Sequence, residues 1–400
     1  MPKEEIEKLG DALLKALHEA NELTLEDAEI NAEELIIDLV PFVQTAVGVP
    51  TQLPPSLGVG VPPILKYVEA SFQTPKLDFS GKINEVSYGG SKTRKKVVIG
   101  GETTLPFYRF MAPAPHRPAV TFDIFDMPQH LPKPIKVNFE EVMEDAGEWA
   151  KRAVQRFGAD AVTIHLVSTD PYIKNTPAEE SAKTVEKVLQ AVDVPVLIGG
   201  SGNKEKDPAV LEKAAEVAHG ERVSLNSAAL DLDYKRIARA AKKYDHIVLS
   251  WTQLDMNNQK KLNTLLLDEG LPQNQIVMDP TCAALGYGLE YSFSIYERIR
   301  IAALKGDTVL ANPMSAGATN AWGAREAWMS EKKVPAWGPS ELRGTLWEAF
   351  TSLTLCLAGG NIFMMLHPGS VRMFKTMVDF LTAEPKALAS SVENWIAMKS

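Results

Sequence analysis

Residues 161–199 read AVTIHLVSTDPYIKNTPAEESAKTVEKVLQAVDVPVLIG. The stretch opens on an apolar run, 161–167 (AVTIHLV), and closes on another, 195–199 (PVLIG), with a helical segment at 178–192 between them. Runs apolar on successive residues fit parallel strands covered on both faces, and a helix of this length makes the crossover between two of them. The alternation begins upstream at 119–125 (AVTFDIF) and continues at 222–226 (RVSLN), 246–250 (HIVLS), 276–279 (IVMD), 308–312 (TVLAN) and 362–366 (IFMML). Further helical segments are predicted at 139–157, 208–218, 233–243, 257–269, 291–305, 339–358 and 369–382. Eight strands, each followed by a helix, predict an α/β fold of the (β/α)8 TIM-barrel type over 116–400, in preference to an open doubly wound sheet.

Residues 1–115 read as an N-terminal extension. Residues 1–38 carry twelve acids against three bases, and Ile6, Leu9, Leu13 and Leu17 recur at helical spacing. Pro50, Pro54, Pro55, Pro62 and Pro63 follow, which suits an extended linker and neither a helix nor a central strand. Residues 83–88 (INEVSY) and 96–99 (KVVI) look like a hairpin around Gly89-Gly90, with the basic run 92–96 (KTRKK) as a solvated turn.

The net charge of −9 argues against a nucleic-acid partner. Two cysteines, Cys282 and Cys356, point to a reducing compartment and are too few for an iron-sulfur cluster held by this chain alone. The longest apolar stretch, 352–366, is broken by Gly-Gly-Asn and falls short of the ~20 residues of a membrane span. The charged helix at Met1–Ala20 is no signal peptide, so a cytoplasmic protein is expected.

In a barrel, the loops after the strands converge on one rim, where binding sites lie. Here they hold Asp126, Ser168-Thr169-Asp170, Gly200-Ser201-Gly202-Asn203, Asn226-Ser227, Trp251-Thr252-Gln253 with Asp255, Asp279-Pro280-Thr281, and Asn312-Pro313-Met314-Ser315. His367 follows the last strand. No nucleophile–base set can be assigned from spacing, no metal-ligand spacing is present, and GGSGN lacks the Lys-Ser/Thr of a P-loop. His165, inside a strand, reads as a core or second-layer histidine. The glycines of 199–202 permit close approach of a ligand to the backbone. The longest rim loop is expected at 312–323 (NPMSAGATNAWG), where small side chains and amides suit a large flat ligand, with Trp251 and Trp322 as apolar walls. Asp279, held at a strand end by Pro280, suits hydrogen bonding to a pterin-like ring. The candidate binding residues are Ser201, Gly202, Asn203, Asn226, Ser227, Asp279, Thr281, Met314, Ser315, Thr319 and Asn320. No catalytic or metal-ligating residue is assigned.

Several stretches together resemble the delta-subunit family of the archaeal acetyl-CoA decarbonylase/synthase complex, relatives of the small subunit of the corrinoid iron-sulfur protein. They are 122–127 (FDIFDM), 163–171 (TIHLVSTDP), 198–203 (IGGSGN), 249–257 (LSWTQLDMN), 278–281 (MDPT), 284–288 (ALGYG), 319–326 (TNAWGARE) and 364–368 (MMLHP). The resemblance implies a barrel like those of pterin-binding methyltransferases. It also implies a heterodimer with a large gamma subunit that bears the iron-sulfur cluster and shares a cobalamin-type corrinoid with this chain. By the same resemblance the barrel caps that corrinoid while a methyl group passes between a methyltetrahydropterin and acetyl-CoA synthase, in a complex that also holds CO dehydrogenase subunits. A stand-alone methyltransferase and a mainly scaffolding subunit are the alternatives.

Overall fold

The computed structural model of the chain describes residues 77–383 apart from Lys92 and Phe110; the acidic helix and proline-rich linker expected before them lie outside the described residues. The described part begins with an antiparallel hairpin of β1 (Val86–Gly89) and β2 (Lys96–Ile99). Eight strands follow: β3 (Ala119–Phe125), β4 (Ala161–His165), β5 (Val196–Gly199), β6 (Ser224–Ala228), β7 (Ile247–Trp251), β8 (Ile276–Asp279), β9 (Met314–Gly317) and β10 (Gly360–Met365). They close into a barrel in the order β10-β3-β4-β5-β6-β7-β8-β9, each pair parallel. This is the TIM barrel that the alternation predicts.

Helices cover its outside: α1 (Lys133–Lys136), α2 (Ala146–Gln155), α3 (Ala178–Ala191), α4 (Asp207–Val217), α5 (Tyr234–Tyr244) and α6 (Met256–Asp268). The ring is completed by α7 (Leu289–Leu304), α8 (Arg325–Trp328), α9 (Ser340–Leu357) and α10 (Pro368–Thr382). Strand residues alternate between the helix layer and the barrel interior. On β3, Val120, Phe122 and Ile124 join Phe139 and Trp149 in the outer core, while Ala119 belongs to a separate inner cluster. Asp145, Asp233 and Asp255 open α2, α5 and α6 by accepting backbone N–H groups at 2.8 to 3.2 Å. The cap at Asp145 is why the helix predicted from residue 139 starts only at Ala146.

The hairpin has a definite task. Val86, Tyr88 and Ile99 share one buried cluster with Ala119, Ala161, Leu197, Ile247, Val277 and Ile362, so the hairpin stoppers the amino-terminal end of the barrel. Gly89 makes the tight turn there, with φ +64 and no room for a Cβ, which would lie 2.2 Å from Lys95 O. The basic run is not a solvated turn throughout. Arg94 is only 5% exposed; it donates to Glu221 at 2.8 Å and to the carbonyls of Val192 and Val194 at 3.0 and 2.7 Å. Its planar fork fits these carbonyls, left open beyond α3, and ties the hairpin to the barrel.

One predicted strand is misplaced. Thr308–Leu310 forms a single 3-10 turn, capped by Asp307, and the barrel strand comes later at Met314–Gly317. The β-branched residues of 308–312 lose to pairing: Pro313 O accepts from Met278 N at 2.9 Å, and Met314 stands in register with Gly360 of β10. Met314 and Ser315 therefore belong to the barrel wall, 1% and 0% exposed, and not to a rim loop. The rim segment proper is the 3-10 helix Ala318–Gly323.

Candidate functional site

The carboxyl ends of the strands, with the loops after them, gather on one face of the barrel, its bowl. Its floor is closed by Asn226 of β6, which takes a hydrogen bond from Ser224 Oγ at 2.8 Å and sets its amide nitrogen 4.0 Å from Met364 Sδ of β10. Asn226 and Ser227 lie inside β6, which runs two residues further than predicted. Asn226 is 9% exposed and Ser227 half-buried, with no hydrogen bond to its hydroxyl from the described residues.

The loop after β5 is held from beneath. Asp207, the first residue of α4, is buried and accepts from Ser201 N and Oγ, both at 2.9 Å, and from Gly202 N at 2.8 Å. Burial pushes its carboxyl above the usual range, against these hydrogen bonds, which pull it down. Asn203 caps the next turn through Glu205 N and Lys206 N. Ser201 thus spends its polar groups inside the loop, while Gly202 stays exposed with nothing within 4 Å of where a Cβ would be. Gly200 has no such space, since a Cβ there would fall 2.4 Å from Asp207 Cγ. Gly200→Ala is expected to lower unfolding free energy by ~1–3 kcal/mol through overpacking. Urea denaturation checks it, and a change within about 0.5 kcal/mol of the parent would contradict this account of the loop.

Across the mouth, Asp279 ends β8. Its Oδ1 accepts from Thr281 N at 2.9 Å, and Oδ2 has no partner among the described residues. Burial raises its pKa to about 7. Thr281 itself is pinned, donating to Thr252 O at 2.7 Å. The rim helix after β9 is tethered at two points: Thr319 Oγ1 to Asp123 at 2.5 Å, and Asn320 Nδ2 to Cys282 O at 2.9 Å. Asn320 remains exposed, with its amide oxygen open. Trp322 is no wall of the mouth. It is 6% exposed and packs on α9 at Gly344, where a Cβ would meet its ring at 2.2 Å.

Sequence reasoning missed a cluster at the floor. His165, which reads from the sequence as a core or second-layer residue, has 27% of its side chain exposed and sets Nε2 3.3 Å from Asp123 Oδ1. Its ring lies 5.3 Å from that of Phe125. A Cβ at Gly199 would lie 3.0 Å from His165 Nδ1, so the glycine leaves that nitrogen uncovered. Burial alone would lower the imidazole pKa; the Asp123 carboxylate, helped by Asp126, outweighs it and raises the value. Asp126 is engaged elsewhere, accepting from Ser168 Oγ at 2.5 Å and fixing the ends of β3 and β4 together. Among the described residues no group of three or more His, Cys, Asp or Glu could hold a metal ion.

A family profile described as CO dehydrogenase/acetyl-CoA synthase delta subunit matches residues 85–381. The chain belongs to that family. An Archaeoglobus fulgidus protein named acetyl-CoA decarbonylase/synthase complex subunit delta is 53% identical over 341 residues, 83% of this chain and 75% of that one. The Methanocaldococcus jannaschii subunit delta is 47% identical over 391 residues, 96% and 95% of the two chains. Among solved structures, a Xanthomonas albilineans dihydropteroate synthase aligns with TM-score 0.47 and 15% identity, covering 67% of this chain and 94% of that one.

The stretches that carry the delta-family resemblance fall mostly on this bowl. They place His165, Gly199, Trp251 and Asp279 at the ends of their strands, Asp123 and Met364 within two residues of an end, and Thr319 two residues beyond β9. Ser201, Gly202, Asn203, Asn226, Ser227, Asp279, Thr281, Thr319 and Asn320 all gather on the same face. Met314 and Ser315 do not, because they sit at the buried start of β9. No helix among the described residues is long and apolar enough to cross a membrane.

Proposed function

We propose that this delta-family barrel is a subunit of an acetyl-CoA decarbonylase/synthase complex in the cytoplasm. In it, the bowl covers a corrinoid carried by a large gamma subunit while a methyl group passes between a methyltetrahydropterin and acetyl-CoA synthase. The observation that carries the reading is the set of polar atoms at the carboxyl end of the barrel that have no partner among the described residues: Ser227 Oγ, Asn320 Oδ1, Asp279 Oδ2 and His165 Nδ1. A corrin bears a fringe of amides, which such donors and acceptors suit, and Gly199, Gly202 and Gly317 keep bulk away from its flat face. The residues present therefore fit the group.

The corrinoid, when bound, supplies the cobalt centre that carries the methyl group. The chain's own residues bind, orient and exclude water. Ser227, Asn203 and Asn320 would hold peripheral amides, with Asp279 and His165 at the floor. Phe125 and Trp251, both half-buried at the mouth, give an apolar edge that keeps water from the covered face. The Thr319–Asp123 hydrogen bond fixes the rim helix so that the cap has a defined shape. Relatives named as complex subunits support the assembly part of the reading.

Co-expression with the candidate gamma subunit tests it. A tight pair with a corrinoid visible spectrum is expected, and Ser227→Leu with Asn320→Leu should strip or perturb the corrinoid while the pair stays intact. A tight pair whose corrinoid spectrum is the same as that of the gamma subunit alone would sink the capping role. Methyl transfer to free cobalamin by the isolated chain would instead mark a stand-alone methyltransferase.

A further inference from the structure

A groove of about 560 Å³ lies between the segment after β3 and the segment after β9, the two strands that flank β10. Gln129, His130, Lys133, Lys136, Trp322 and Trp328 line it, with Leu131 and Pro132. Each titratable side chain of the lining is basic, in a chain whose net charge is −9. Lys136 reaches Glu140 at 3.3 Å across a solvent-exposed pair, and Lys133 has no carboxylate partner among the described residues. Trp328 is 48% exposed, so part of its indole is open where it lines the groove. The volume is that of a small-molecule site.

We propose that this groove binds a planar aromatic group carrying a phosphate, as a nucleotide does. The exposed indole of Trp328 gives a stacking face, Lys133 and Lys136 give point charges for the phosphate, and Gln129 offers amide contacts to ring edges. Trp322 anchors the wall: its ring packs on Gly344 and lies 5.5 Å from that of His367, so the groove is built on the same rigid rim as the bowl. The site goes beyond the capping role and does not depend on it, since it needs no partner subunit. The nucleotide could be free in solution or the tail of a corrinoid.

The full-length chain is titrated with adenosine 5′-monophosphate, adenosine and inorganic phosphate, following tryptophan fluorescence and heat. The monophosphate is expected to bind at least about tenfold more tightly than either fragment and to weaken as salt rises. Lys133→Gln with Lys136→Gln should weaken it by about tenfold, and Trp328→Ala should remove most of the fluorescence change, both with parental thermal melting. Binding no tighter than that of inorganic phosphate, or unaltered in both variants, overturns the proposal. Competition by cobalamin but not by tail-less cobinamide identifies a corrinoid tail as the occupant; competition by neither leaves the free nucleotide.

Discussion

Arg300→Ala is expected to cost about 3–5 kcal/mol of unfolding free energy, the range for breaking a buried ion pair from one side. Arg300 lies on α7 and is 2% exposed. Its guanidinium sits 3.0 Å from Glu102 Oε2 and donates to Gly359 O at 2.5 Å and Asn361 Oδ1 at 2.9 Å. Asn361 Oδ1 in turn accepts from Met314 N at 3.1 Å, and its amide donates to Glu102 at 2.5 Å. Arg300, with Asn361 beside it, therefore joins the segment after β2, the start of β9 and the start of β10. Removing it leaves Glu102, only 16% exposed on its side chain, without its cation and strands the Gly359 carbonyl. Urea unfolding measures the loss. Arg300→Met combined with Glu102→Leu should regain a good part of it, because the buried charge goes with its partner. A loss under about 1 kcal/mol for the single variant would show that water reaches the pair and that it holds nothing together.

The same region shows where sequence reading succeeds and where it stops. β3, β4 and β8 are legible because a strand buried on both faces is apolar at most positions, as AVTFDIF, AVTIH and IVMD are. β9 is MSAG, with none of that signature. It is a strand because Tyr296 donates to Ser315 O and Asn361 takes Met314 N, contacts that local propensity does not record. The hairpin is legible from its alternation, but its seat under the barrel rests on Arg94 and Glu221, 127 residues apart. The rim was readable as a list of polar strand ends. Which of them remain available was not: Asp207 consumes Ser201, and Asp123 binds Thr319 from 196 residues away. His165 is not legible as a site residue, because an isolated histidine in an apolar strand carries no sign of the carboxylate beside it.

Asp279→Asn is expected to flatten a pH dependence that the parent protein shows between about pH 4 and 7. The folded carboxyl is held near pKa 7 by burial, against an ordinary value of 3.8. Below pH 4 both states carry the proton, and burying the neutral acid is favourable. As pH rises, the unfolded chain releases its proton first while the folded chain keeps it, so stability falls by ~1.4 kcal/mol per pH unit until the folded pKa is passed. Three units set an upper bound of ~4 kcal/mol on the loss at pH 8. Asparagine keeps an oxygen for Thr281 N and cannot ionise, so the variant should match the parent near pH 4 and exceed it by ~1–4 kcal/mol at pH 8. Urea unfolding at pH 4, 6 and 8 gives the comparison. Glu348, also raised to about 7 by burial, titrates in both proteins and cancels in the difference. A stability gap that does not change with pH would mean that Asp279 is ionised and solvated at the mouth. The prediction also bears on the bowl as a binding site. A ligand that donates to the open Oδ2 would favour the carboxylate, pull the folded pKa down and shrink the gap. Repeating the titration with the corrinoid-bearing partner bound then reads occupancy of the floor directly, through a group that the partner itself does not contain.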